Sequence, residues 1–197
     1  MHGGVYLTGV QGADVVLLMR EHRRALSLYH QLDDLIRSLR QPTDRVKFKL
    51  AKCYMALQDH PAALKELRSI PSKSRTCQVN VMLGRLLRLT GHKEQAVACL
   101  KDAQRELPVA TEIIDELVDL GISDSEVEFN ETNDGATEFG KALLRSLAAR
   151  RDSDFGRCIE SLETLNVKFS NHPLVLSELS VSLVQADKTQ MVHLLLL

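Results

Sequence analysis

The sequence predicts an all-α protein built of stacked antiparallel helix pairs. Three observations predict it. Leu and Ala dominate an apolar content of 44%, while aromatic residues make up 4% and Trp is absent, a balance that favours helix over strand. Val46–Tyr54 superimposes on Val79–Leu87 at an offset of 33 residues, and self-similarity at such a period marks a repeat architecture. Small residues recur 12 apart, as Ala13 and Ala25, Ala51 and Ala63, Gly84 and Ala96.

The offset places Leu83 on Leu50, Gly84 on Ala51, Ala96 on Ala63 and Leu100 on Leu67. A large apolar residue, a small one, another large one three residues on, and an Ala-large-small series on a second helix form the layout of a tetratricopeptide-repeat α-solenoid. Small side chains let two helices approach, and the large ones fill the space above and below the contact.

Taken in order, residues 1–12, with Gly3, Gly4 and Gly9, are expected to be an irregular N-terminus. Repeats are expected over 13–123, opening with Ala13, Ala25, Tyr29 and Leu32. The first of the two best copies, 44–76, carries Leu50, Ala51, Tyr54, Ala63, Leu67 and Ile70. Its partner, 77–110, carries Leu83, Gly84, Leu87, Ala96, Leu100, Ala103 and Pro108. Gln58-Asp59 and Gly91-His92 fall at the inter-helix turns, and Pro61 at a helix start, where a missing N–H costs nothing. Leu117 and Val118 keep a 34-residue step from Leu83 and Gly84, and Ser180 falls 34 beyond Ser146.

Residues 124–138 hold six acidic residues and no Lys or Arg, which predicts a solvated acidic loop. Further repeats are expected over 139–197, on Ser146, Cys158, Leu162 and Leu165. Ser180 takes the small position of a helix over Leu174–Val184, and the last repeat is expected to be incomplete at 197. An open seam there would expose Leu174, Leu176, Leu179 and Leu183 and promote self-association.

A net charge of -1 gives no bulk attraction to nucleic acid or membranes. It hides an asymmetry: residues 1–110 balance at +8 and 111–197 at -9, read as two solvated faces or as a dipolar head-to-tail contact. The four cysteines form no C-x-x-C pair, and in apolar helical runs a free Cys acts as a small hydrophobe, which fits a reducing compartment. No stretch approaches 18 apolar residues, and no basic, apolar leader opens the chain.

Nothing points to catalysis, a cofactor or a metal. Nucleophile elbow, metalloprotease helix, phosphate-binding loop and dinucleotide fingerprint are all missing. His60 and His92 occupy equivalent turns and are expected to be exposed, while His22 and His30 share a basic helix with Arg20, Arg23 and Arg24. The candidate site is instead a concave groove. Lys49, Lys52, Arg85 and Arg88 lie on the first helices of the two best copies, where they would hold an acidic or C-terminal carboxylate ligand. The plainer reading is that they keep the groove soluble. Basic residues are not interleaved with aromatics, which speaks against nucleic acid.

The V-K-F-K-L-A-K-C-Y run at 46–54 and the I-P-S-K-S-R-T run at 70–76 resemble one family, the seventh subunit of the anaphase-promoting complex, or cyclosome. Asn80, Met82, Leu83, Gly91, Ala13-Asp14, Ala25 and Leu107-Pro108 continue the likeness. It implies a non-catalytic scaffold of a mitotic ubiquitin ligase, in nucleus and cytoplasm. It also implies partners among the other tetratricopeptide subunits and a homodimer through N-terminal repeats. The family is much longer, so the chain resembles its N-terminal part or a truncated form. The competing reading is a free adaptor that binds acidic or C-terminal peptides in its groove.

Overall fold

The structure, a computed structural model, describes residues 3–38, 43–108, 110–123, 126–127 and 135–187, with side chains from Gly9 onward. Among these residues every long element is an α-helix, and no strand occurs. The fold is a tetratricopeptide-like all-α repeat. Its contacts divide the chain into two units, residues 1–92 and 93–197.

The first unit contains α1 (Gly3–Leu18), α2 (His22–Ser38), α3 (Asp44–Ala56), α4 (His60–Arg68) and α5 (Cys77–Leu89). Each of its helices packs on the next. The paired small residues are fully buried: Ala13, Ala25, Ala51 and Ala63 are all at most 1% exposed. Around them Tyr29, Ile36, Val46, Leu50 and Cys53 form one buried cluster. Fully burying such side chains contributes about 1.5–3 kcal/mol each. The Cys53 thiol belongs to this apolar cluster, and burial pushes it up to about 11, so it stays protonated.

The expected irregular N-terminus is corrected here, because α1 already begins at Gly3. Its glycines suggest a break when read by propensity alone. Packing supplies the reason for one of them: a Cβ on Gly9 would lie 2.8 Å from Leu32 Cδ2 of α2.

The second unit contains α6 (Lys93–Glu106), α7 (Thr111–Asp119), α8 (Gly135–Arg151), α9 (Phe155–Lys168) and α10 (Pro173–Gln185). Here too successive helices pack in chain order. Ser146 and Cys158, again 12 apart, are both fully buried in α8 and α9. The Ser146 hydroxyl donates to Leu143 O at 2.8 Å, which removes the cost of burying it.

Three expectations change in this unit. The acidic loop ends earlier, since residues 135–138 already belong to α8. Within it Val127 is buried, and Glu126 accepts from Ser123 N and Oγ at 2.9 and 3.0 Å; 124–125 and 128–134 lie outside the described residues. In α10 the buried serine is Ser182, not Ser180, and its hydroxyl meets Cys158 Sγ at 3.2 Å. Leu179 and Leu183, expected on an open seam, are 2% and 1% exposed, because α10 turns that stripe inward; Leu174 and Leu176 are half-buried.

One punctuation mark recurs along the chain. Arg20, Gln58, Gly91, Gly121 and Ser153 all adopt positive φ, between 61° and 84°. In each case the next N–H reaches back five residues and the residue's own N–H three, as in Asp59 N to Tyr54 O at 2.9 Å and Gln58 N to Met55 O at 3.1 Å. These are Schellman caps, which satisfy the last carbonyls of a helix. They close α1, α3, α5, α7 and α8. Two of the following helices then start on equivalent N-caps: Asp59 accepts from Ala62 N and Asp154 from Arg157 N, both at 3.1 Å.

Candidate partner-binding groove

In the first unit, α3, α5 and the segment between α4 and α5 enclose an open groove of about 480 Å³. Arg45, Phe48, Lys49 and Lys52 line it from α3. Their spacing of i, i+3, i+4 and i+7 puts all four on one stripe of that helix. Asp44 lines its start, and Gln78 and Val79 line it from α5.

The segment Ile70–Thr76 forms the remaining wall. It is held by Arg75, whose guanidinium donates from Nε to Ile70 O at 3.0 Å and from Nη2 to Arg68 O at 3.5 Å. Arg68 O is the last carbonyl of α4 and Ile70 O lies two residues beyond it, so the cation also stands near the negative end of the helix dipole. Ile70 is 1% exposed and anchors the start, and Ser72–Ser74 make one 3-10 turn. The motif thus carries its own physical reason: an apolar anchor, a turn and a carbonyl-capping Arg.

The four sequence-chosen cations separate into two groups. Lys49 and Lys52 line the groove; Arg85 and Arg88, on α5, do not. Arg85 is half-buried, Arg88 is exposed, and both make interactions of their own. Lys49 is committed to Asp14 of α1 at 2.9 Å. Asp14 also accepts from the buried Tyr29 hydroxyl. Burial works to raise the Asp14 carboxyl, but the Tyr29 and Lys49 hydrogen bonds outweigh it and hold it below the usual carboxylate range. Burial first, then the Asp14 contact, pushes the Tyr29 hydroxyl above its ordinary value. Lys52 sits 4.7 Å above the centre of the Phe48 ring and has no ion pair among the described residues. Arg45 forms no ion pair among the described residues either, but its charge acts on the Asp14 carboxylate and helps to lower it.

Of the packing residues chosen from sequence, Ala51, Ala63, Leu67, Gly84, Leu87, Ala96 and Leu100 are buried. Tyr54 and Pro108 are half-buried. The Tyr54 hydroxyl lies 2.8 Å from His30 Nε2, which accounts for its exposed edge. Arg45, Phe48 and Asp14 were not chosen from sequence. The stripe through Lys49 and Lys52 was the available signal for the first two; Asp14 comes from a distant helix, and only its place in the family likeness pointed to it.

In the second unit Arg150 of α8 pairs with Glu178 of α10. Burial, and then the charge of Glu178, raise the Asp115 carboxyl of α7. Among the described residues no group of His, Cys, Asp and Glu is arranged to hold a metal, and no helix is long and apolar enough to cross a membrane.

No family model matches the chain. Curated relatives do, over part of it. Anaphase-promoting complex subunit 7 of Homo sapiens is 35% identical over 82 residues, covering 42% of this chain and 14% of the relative. The Mus musculus subunit 7 gives the same identity and coverage. That of Arabidopsis thaliana is 27% identical over 140 residues, covering 58% of this chain and 25% of the relative. The chain therefore spans a quarter or less of these proteins. Partial identity and an all-helical, tetratricopeptide-like fold together make this a helical-repeat protein similar to anaphase-promoting complex subunit 7.

Proposed function

We propose that the chain is a non-catalytic scaffold in an anaphase-promoting complex and supports assembly of that ubiquitin ligase in mitosis. The observation that carries the reading is the 35% identity over 82 residues to proteins named subunit 7. A tetratricopeptide-like fold supports it, since stacked helix pairs bury one seam and leave outer faces to partners. The proposed partners are the other tetratricopeptide subunits and a second copy of the chain, with no role for nucleic acid or membrane. The proposed location is nucleus and cytoplasm.

Affinity purification of the tagged chain from dividing cells of its source tests this. Recovery of the other repeat subunits together with a ubiquitin-ligase core is the expected result. Recovery of a single unrelated client, with no ligase subunit, would overturn the reading and favour the free adaptor.

A further inference from the structure

We propose that Ser153 is a phosphorylation site for a basic-directed serine kinase, and that the phosphate releases the hold of α8 on the end of α7. Only residues of the second unit are involved, whether or not the chain belongs to a ligase.

Ser153 follows Arg150, Arg151 and Asp152. It is the one hydroxyl in the sequence with Arg at both the second and the third position before it. Kinases choose their substrates by such charge patterns. The position also suits the reaction. Ser153 is exposed and stands in the turn between α8 and α9, outside both helices. Its φ of 62° is a left-handed conformation that favours glycine. A strained turn between two helix ends opens more readily than a helix interior. Ser27 makes the contrast: Arg23 and Arg24 precede it, but it lies inside α2.

The two arginines are already in use. Arg150 pairs with Glu178 of α10. Arg151 donates from Nη1 to Val118 O of α7 at 2.8 Å and from Nε to Asp152 Oδ1 at 2.9 Å. Their side chains are 25% and 32% exposed. A kinase that grips both must take them from α10 and α7. Reading of the motif and packing of these helices therefore exclude each other, and the modification is coupled to opening of the last turn of α8.

In the transfer, Ser153 Oγ attacks the γ-phosphorus of ATP and the bond to the β,γ-bridging oxygen breaks. The hydroxyl proton passes to a base of the kinase, and ADP leaves. The product carries about two negative charges between Asp152 and Asp154, at the C-terminal end of α8. Like charge and the helix dipole both oppose it there. Arg151, two residues away, is the nearest cation along the chain. A guanidinium binds a phosphate more strongly than a neutral carbonyl, so Arg151 leaves Val118 O. α7 then keeps its own cap, Gly121 N to Val118 O at 2.8 Å, but loses this tie to α8.

The test uses the full chain, ATP and the catalytic subunit of cyclic-AMP-dependent kinase, with sites located by mass spectrometry. Phosphate is expected on Ser153 and not on Ser27, and Ser153→Ala should remove it. Glu178→Gln leaves Arg150 without this carboxylate and should raise the initial rate twofold or more. The phosphorylated chain should exchange amide protons over residues 119–122 at least twofold faster than the unmodified chain. No phosphate on Ser153, or as much on Ser27, would overturn the proposal. So would equal rates for the wild type and Glu178→Gln, or a gain in that variant that extends to Ser27, the mark of general unfolding. Unchanged exchange in the phosphorylated chain would do the same.

Discussion

Ala63→Leu probes the contact on which the repeat reading depends. Ala63 has no exposed surface, and its equivalent on α3, Ala51, has none either. A leucine adds three carbon atoms. With room to spare it would gain about 2.4 kcal/mol from burial, at roughly 0.8 kcal/mol for each carbon. Room is short: α4 packs on α3, and Ala51, Ala63, Leu50 and Leu67 are all at most 1% exposed. The helices must separate or the side chain must leave its rotamer, and overpacking of this kind costs about 1–3 kcal/mol. We expect a loss near 2 kcal/mol, a shift of about 1 M in urea midpoint at a slope near 2 kcal/mol per M. Ala56→Leu is the control, because Ala56 is exposed at the end of α3 and should change stability by less than about 0.5 kcal/mol. Urea unfolding followed by helical ellipticity measures both. Equal midpoints for the two variants would refute the close contact at Ala63.

Three further outcomes follow from the side-chain geometry. Arg75→Met should cost about 1–2 kcal/mol, the range for a hydrogen bond to a charged group at a partly exposed site, with faster amide exchange at the end of α4; unchanged exchange there would mean that water serves those carbonyls equally well. Asp14→Asn should destabilise at pH 7 by about 1 kcal/mol, since the carboxylate joins Lys49 to the Tyr29 hydroxyl at sites only about a quarter exposed. Its folded pKa is depressed, so the contribution is present above the unfolded value near 3.9 and vanishes as pH falls through the folded one; a difference between wild type and variant that persists at pH 2 would contradict this. Asp115→Asn should act with the opposite sign, stabilising by roughly 0.5 kcal/mol or less at pH 7, because burial and Glu178 raise that carboxyl; below the unfolded value the gain should disappear, and a loss at pH 7 would reverse the reading.

The small-residue contacts were legible because they are local. Ala, Gly, Ser and Cys at a spacing of 12 satisfy a steric requirement set by one helix pair, and all eight such residues are buried. The helical turns were less legible. Gly91 and Gly121 announce a left-handed cap, but Arg20, Gln58 and Ser153 take the same conformation without a glycine. Tertiary packing and the paired backbone hydrogen bonds impose it there, and no propensity reveals that. The start of α1 was missed for a related reason: Gly9 weakens an isolated helix, yet here its missing Cβ admits Leu32. Ser180 was chosen over Ser182 by extending a fixed step of 34 beyond a segment that had already broken the period.

At the groove, sequence identified the right helix and two of its cations. It could not separate Lys49 from Lys52. That distinction comes from Asp14, 35 positions earlier in the chain and brought into place by the packing of α1, α2 and α3. The Ile70–Thr76 motif was visible as a family likeness. Its role became clear only from the Arg75 guanidinium, which ties Ile70 O and, at 3.5 Å, the last carbonyl of α4, Arg68 O.

The proposed function places this chain in a multi-subunit ligase. Gradient sedimentation of extract from dividing source cells, with the endogenous chain quantified in each fraction, tests it most directly. The chain should migrate with the subunits of the ligase, in constant ratio to them and far above its own mass of 22.0 kDa. Migration only at the size of a monomer or dimer, with the ligase elsewhere in the gradient, would contradict it.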